Sequence, residues 1–236
     1  GRRESVGYID MTLDVLRDFS VSIEEASSGY KIKAPQKYID PDSPRVQGDW
    51  SNAAFFLCAG ALGGETEITG LSLDSRQSDR ALTDILKAFG ADIKCGSSVS
   101  VCKSELSGIT VDISQCPDLF PTLAMTACAA HGDTVFTNAA RLRIKESDRI
   151  EAVEKMITSL GGFAESTPDS LTVHGTGTLA GGEVNSFNDH RIVMAAAVAA
   201  CICESPVVIR DAQAVNKSYP DFFEDYKKLG GKADVI

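Results

Sequence analysis

Pro117-Asp118-Leu119-Phe-Pro-Thr-Leu-Ala-Met-Thr-Ala-Cys-Ala-Ala130 sets an aspartate ahead of a run of small and apolar residues, and the chain repeats this arrangement three times. Gly48-Asp49-Trp50 precedes Ala53–Leu62, and Asn188-Asp189-His190 precedes Ile192–Cys203, in the same way. The three aspartates stand 69 and 71 residues apart. Runs that are apolar on every side predict buried helices. Asp49, Asp118 and Asp189 are their expected N-caps, each carboxylate accepting backbone N–H bonds.

Each such helix is followed by a β-rich run, at Glu65–Gly70, Asp133–Asn138 and Pro206–Asp211. A second, amphipathic helix follows and ends at Phe89-Gly90, Leu160-Gly161 or Leu229-Gly230. Glycine just past a periodic segment is the expected helix stop. Closing strands are expected at Asp92–Gly96 with Val99–Lys103, and at Phe163–Glu165 with Leu171–His174. Each unit therefore reads strand, helix, strand, helix, then one or two strands. A period near 70 is longer than solenoid repeats. It predicts an α/β (α+β) fold of three repeated βαβαββ units about a pseudo-threefold axis.

Ahead of the repeats, residues 8–19 read as an amphipathic helix, and Val21–Ala26 and Tyr30–Lys33 as strands. One helix and two strands cannot bury a core alone. Pro35, Pro41 and Pro44 then punctuate the chain. We expect residues 1–46 to be the tail of a second, similar domain and 47–236 a complete one.

With 236 residues, 43% of them apolar, the chain can bury one large or two moderate cores. A net charge of −10 argues against a broad nucleic-acid surface. Seven cysteines form no C-x-x-C pair and read as reduced, buried thiols in a cytosol-like compartment. The longest apolar run, Ile192–Cys203, is short for a membrane span. No H-x-x-x-H, paired cysteine or P-loop is present, so neither a metal nor a cofactor is expected.

Chemistry concentrates where cations stand at helix starts. Arg141-Leu-Arg143-Ile-Lys145-Glu146-Ser147-Asp148-Arg149-Ile150 precedes a helix with Val153, Ile157 and Leu160 on its apolar face. Asn188-Asp189-His190-Arg191 and Asn216-Lys217-Ser218-Tyr219 are the other two such stretches. Cations there oppose the helix dipole, and a bound anion resolves the conflict. Taken singly, each stretch also fits solvated surface ion pairs. If the units bring these ends together, Lys145, Arg149, Arg191 and Lys217 make a pocket for a multiply charged anion. Glu146, three residues before Arg149, would share its helix face and move a proton. Ser78-Asp79-Arg80 repeats Ser147-Asp148-Arg149, so Ser-Asp-Arg belongs partly to the fold, and Lys145-Glu146 is particular to the site.

Arg143–Arg149, Asn188–Arg191 and Lys217-Ser-Tyr-Pro-Asp-Phe222, with Tyr8-Ile-Asp-Met-Thr12 and Gly48-Asp49, strongly resemble the 5-enolpyruvylshikimate-3-phosphate synthase family. The resemblance covers essentially the whole chain. It implies two similar domains, each of three βαβαββ units, closing like a clamp. It also implies transfer of the enolpyruvyl group of phosphoenolpyruvate to the 5-hydroxyl of shikimate 3-phosphate, with release of phosphate, in aromatic amino-acid biosynthesis. By the matched motifs, Asp118 takes the hydroxyl proton and Glu146 exchanges a proton with the phosphoenolpyruvate methylene. Arg149 and Arg191 clamp phosphoenolpyruvate, Lys217 lies near its phosphate, and His190 stands beside the site. Ser5, Tyr8 and Lys145 contact shikimate 3-phosphate. Ser5-Val-Gly-Tyr8 departs from the Lys-Pro that often precedes this tyrosine. The sister transferase acting on UDP-N-acetylglucosamine shares the repeats, but these motifs fit it less well. The expected partners are the two substrates and the missing N-terminal domain, in a cytoplasmic monomer with no nucleic acid or membrane. Half a clamp cannot close, so little turnover is expected of the chain alone.

Overall fold

The computed structural model describes residues 6–43 and 45–236. Helix α1 (Val6–Asp18) leads into a hairpin of β1 (Ile23–Ala26) and β2 (Gly29–Ile32). Neither strand buries a residue fully. Among the described residues before 45, only Leu13 and Val21 are buried, and neither belongs to the main apolar cluster.

From Trp50 onward the elements are α2 (Trp50–Gly63), β3 (Glu65–Thr69), α3 (Leu82–Phe89), β4 (Asp92–Cys95) and β5 (Ser98–Cys102). Then come β6 (Thr110–Asp112), α4 (Phe120–Ala129), β7 (His131–Thr137), α5 (Arg149–Ser159), β8 (Phe163–Ser166) and β9 (Leu171–Thr176). The last are β10 (Gly182–Asn185), α6 (His190–Ala199), β11 (Val207–Arg210) and α7 (Phe222–Lys228). The sheets are β3-β5-β4, all antiparallel; β6-β7-β9-β8, with β6 and β7 parallel; and the parallel pair β10-β11.

Helices α2, α4 and α6 pack on one another at the centre and are buried around nearly their whole circumference. Their small residues permit this: Ala53, Ala54 and Ala61 on α2, Ala124 and Ala127 on α4, and Ala195–Ala197 on α6 are all buried. Stacking three apolar helices removes every face from water, so no amphipathic pattern is needed. Helix α5 is one-sided, with Ile150, Val153, Met156 and Ile157 turned inward. The segment after β11 is anchored by aromatic packing. Phe222 lies 5.3 Å from Phe56 and Tyr219 6.0 Å from it, between ring centroids. This seats the neighbouring Lys217.

The structure departs from the sequence reading in several places. No strand lies between β2 and α2 among the described residues: Val46 is exposed, and Gly48 makes a backbone bond to Gly70. No strand follows α7 among the described residues. Helix α6 stops at Ala199 and continues only as a 3-10 turn, Ala200–Ile202. All seven cysteines are free thiols, but only Cys58, Cys116 and Cys128 are buried; Cys102, Cys201 and Cys203 are partly buried and Cys95 is exposed.

Asp49 accepts from the amides of Ser51 (2.8 Å) and Asn52 (3.3 Å), and Asp189 from that of Arg191 (2.9 Å). Asp118 is no cap. Helix α4 is entered through a 3-10 turn, Pro117–Leu119, and its N-terminus has no side-chain acceptor. Asp49→Ala should therefore cost about 1 kcal/mol of stability in denaturant titration, as cap removal typically does.

Candidate active site

Arg149, the first residue of α5, is fully buried, and three carboxylates from three elements surround it. Its Nη1 donates to Asp118 Oδ1 at 2.7 Å, Nη2 to Glu146 Oε2 at 2.7 Å and Nε to Asp189 Oδ2 at 2.8 Å. The unfavourable placement of a cation at a helix start is thus resolved within the protein, by side-chain carboxylates. Glu146 reaches Arg149 from the loop ahead of the helix, since the N-cap is Asp148. The two do not share a helix face.

The other cations close around the same acids. Asp118 also receives Lys145 Nζ at 3.2 Å and Arg191 Nη2 at 3.3 Å. Lys217 Nζ lies 3.0 Å from Glu146 Oε1, and Ser147 Oγ donates to Asp189 Oδ2 at 3.0 Å. Local structure explains why the loop holds still. Leu142 is buried under the 3-10 turn Ala140–Ile144. Arg143 donates to the carbonyls of Thr167 and Pro168 and pairs with Asp148 at 2.8 Å, while Asp148 caps α5. Arg143 and Asp148 thus shape the loop, and Lys145, Glu146 and Arg149 face the site.

Burial alone would raise the Asp118 carboxyl, but Arg191, Lys145 and Arg149 outweigh it and hold the group well below the usual range. Glu146 is likewise raised by its burial but brought to about 2 by the Lys217 hydrogen bond, a backbone bond and Arg149. Both are ionised bases at neutral pH. His190 is pushed down to about 4 by burial and the neighbouring Arg191, so its ring is neutral. Its Nδ1 is buried without a hydrogen-bond partner, 3.7 Å from Asp189 Oδ1. An open pocket of about 420 Å³ lies beside the network, lined by Glu146, Asn188, Gln213, Ala214 and Lys217. A second cavity, of about 370 Å³, lies at the opposite ends of α2, α4 and α6, against Leu62, Ala129 and Cys201.

Tyr8 enters from α1. Its hydroxyl is 3.4 Å from Asp118 Oδ2 and 3.5 Å from Asp79 Oδ2. Gly7 allows this approach, because a Cβ there would stand 2.5 Å from both the Arg76 carbonyl and Ser78 Oγ. Eight predicted residues, Tyr8, Asp118, Lys145, Glu146, Arg149, His190, Arg191 and Lys217, thus lie in or beside one charged cluster. Ser5 lies outside the described residues.

Asp79 and Ser51 belong to the cluster and were not foreseen as site residues. In the repeat-related turn, Asp148 caps a helix and Arg149 enters the site. At Ser78–Ala81 the roles reverse: Asp79 is 1% exposed and bonded to Ser51, α3 has no side-chain cap, and Arg80 is only half-buried. The two copies read alike in sequence, so nothing in the motif signals the exchange.

The chain is thus an α/β protein in which the starts of α4, α5 and α6 bring carboxylates and cations into one cluster. Comparison with known proteins sharpens this class to a family. The family model described as EPSP synthase (3-phosphoshikimate 1-carboxyvinyltransferase) matches residues 3–226, and the chain belongs to that family. The 3-phosphoshikimate 1-carboxyvinyltransferase of Clostridium novyi is 47% identical over 235 residues, covering 98% of this chain and 53% of the relative. That of Clostridium kluyveri is 44% identical over 233 residues, covering 98% and 54%. The solved EPSP synthase of Acinetobacter baumannii superposes with a TM-score of 0.83 at 27% identity, over 94% of this chain and 54% of that one. The chain spans about half the length of the curated relatives it matches.

Proposed function

We propose that this chain carries the C-terminal half of a site that moves the enolpyruvyl group of phosphoenolpyruvate onto the 5-hydroxyl of shikimate 3-phosphate and releases phosphate. The observation that carries the reading is the Arg149 network, in which three carboxylates and four cations are linked by ion pairs into one cluster.

The reaction adds a hydroxyl to C2 of phosphoenolpyruvate while C3 is protonated, then eliminates phosphate from the tetrahedral adduct. Asp118, held ionised, accepts the hydroxyl proton. Glu146 also starts ionised. When the substrate's carboxylate and phosphate draw Arg149, Arg191 and Lys217 to themselves, Glu146 loses its ion-pair partners and its affinity for a proton rises. It takes up a proton from solvent, gives it to C3 and takes one back in the elimination, while Asp118 returns the hydroxyl proton to the departing phosphate oxygen. Arg149 and Arg191 hold the carboxylate and Lys217 the departing phosphate, each as a charge-assisted contact. Neutral His190 borders this group, and Tyr8, Lys145 and Ser5 face shikimate 3-phosphate. No metal or cofactor takes part.

We assign residues 47–236 to one domain and 1–46 to a second. The thin burial of α1 and the β1–β2 hairpin supports this division. The remaining contacts come from the rest of the second domain, so the chain alone turns over little. The working protein is a cytoplasmic monomer. No helix among the described residues is long and apolar enough to cross a membrane.

The direct test is binding. Titration of phosphoenolpyruvate should move the amide signals of Glu146, Asn188, Arg191 and Lys217. Arg191→Ala should weaken the affinity by about 10–100-fold, the 1.5–3 kcal/mol of a charged hydrogen bond. Equal affinity in the two proteins would remove Arg191 from the substrate. Trapping of a UDP-sugar, with no response to shikimate 3-phosphate, would replace the acceptor.

A further inference from the structure

Tyr8 stands between two carboxyl groups that reach it from different turns, Asp79 and Asp118. A phenol has one proton to donate, so only one of them can receive it. The second carboxyl must either face the phenol oxygen as a repelling anion or be neutral.

The surroundings decide which. Asp118 is met by Lys145, Arg149 and Arg191 and stays charged. Asp79 is 1% exposed and makes no ion pair among the described residues. Its Oδ2 is met by the Ser51 hydroxyl, and its Oδ1 is buried without a hydrogen-bond partner. An anionic oxygen left so is costly; a neutral carboxyl's is less so.

We propose that Asp79 is a positioning residue that governs Tyr8: while neutral it leaves the phenolic proton to Asp118, and on ionising it draws that proton to itself and frees Asp118 Oδ2 for the substrate hydroxyl. The inference rests on the role assigned to Asp118 above. The groups facing Asp79 are Tyr8 on α1, Asp49 and Ser51 at the start of α2, Cys116 and Asp118 ahead of α4, and Arg191 on α6. Burial pushes the Asp79 carboxyl up, Ser51 and Arg191 pull it back, and Asp118 and Asp49 push it further, to about 6. The neutral form therefore holds below about pH 6, and the exchange occurs as the pH rises through that value. Burial, Asp79 and Asp118 together keep the Tyr8 phenol protonated throughout.

The test needs no turnover, so its failure is distinct from failure of the proposed reaction. In the 236-residue chain with 13C-labelled aspartate and tyrosine, the Asp79 Cγ signal should titrate near 6. The Tyr8 Cζ signal should follow with the same midpoint. In Asp79→Asn the amide stays neutral, and Tyr8 should keep its low-pH shift up to pH 8. Titration of Asp79 near 4, or a Tyr8 inflection that survives Asp79→Asn, would overturn the proposal. The wild-type midpoints alone decide it if the variant folds poorly.

Discussion

Arg149→Met should lower stability at pH 7 by about 3–5 kcal/mol, the cost of removing one partner from a buried ion pair. At this chain length that is roughly 6–20 °C in melting temperature. The arginine is enclosed, and Asp118, Asp189 and Glu146 would lose the guanidinium that all three share. The deficit should shrink in acid. In the wild type, Asp118 and Glu146 have depressed folded values. Their contribution is therefore present above the ordinary carboxylate range and fades as the pH falls toward those values. In the variant they protonate earlier and cease to repel one another. Urea titrations of both proteins at pH 7 and pH 4 check this, and a cost below 1 kcal/mol at pH 7 would mean that solvent replaces the arginine.

The second large effect is on chemistry. With the other half of the enzyme supplied, Asp118→Asn and Glu146→Gln should each lower kcat by about 10²–10⁴-fold, the usual contribution of a positioned acid or base. The two should differ in one respect. Glu146→Gln should abolish exchange of the phosphoenolpyruvate methylene protons with deuterated water, because the amide cannot pass a proton to C3. Asp118→Asn acts on the hydroxyl and should leave substrate affinity largely intact, although it loosens Lys145 and Arg191. Retention of exchange in Glu146→Gln would move the C3 role to another group.

Much of this site is written in local sequence, and its failures share a cause. The aspartate-plus-apolar-helix pattern located α2, α4 and α6 because both the cap and the all-round burial leave a compositional mark at Asp49 and Asp189. Asp118 carries the same mark, yet Pro117 and Pro121 favour a 3-10 entry to α4, and its carboxylate turns instead to cations from α5 and α6. Cations at helix starts pointed to an anion. That much of the charge balance comes from Asp118, Glu146 and Asp189 needed tertiary structure, since these residues lie up to 71 positions apart. Asp79 is the clearest loss. In sequence it is indistinguishable from Asp148, and only the packing of Tyr8 and Ser51 around it separates a buried site carboxyl from a solvated cap.

The central claim is that these 236 residues hold half of an enolpyruvyl-transfer site. Phosphate release from phosphoenolpyruvate and shikimate 3-phosphate, measured after adding the N-terminal half of a close relative in trans, tests it most directly. We predict release from the mixture, little from either part alone, and loss of release when Asp118→Asn replaces the wild-type chain. Release from this chain alone at an intact enzyme's rate, or from the mixture regardless of Asp118, would contradict it.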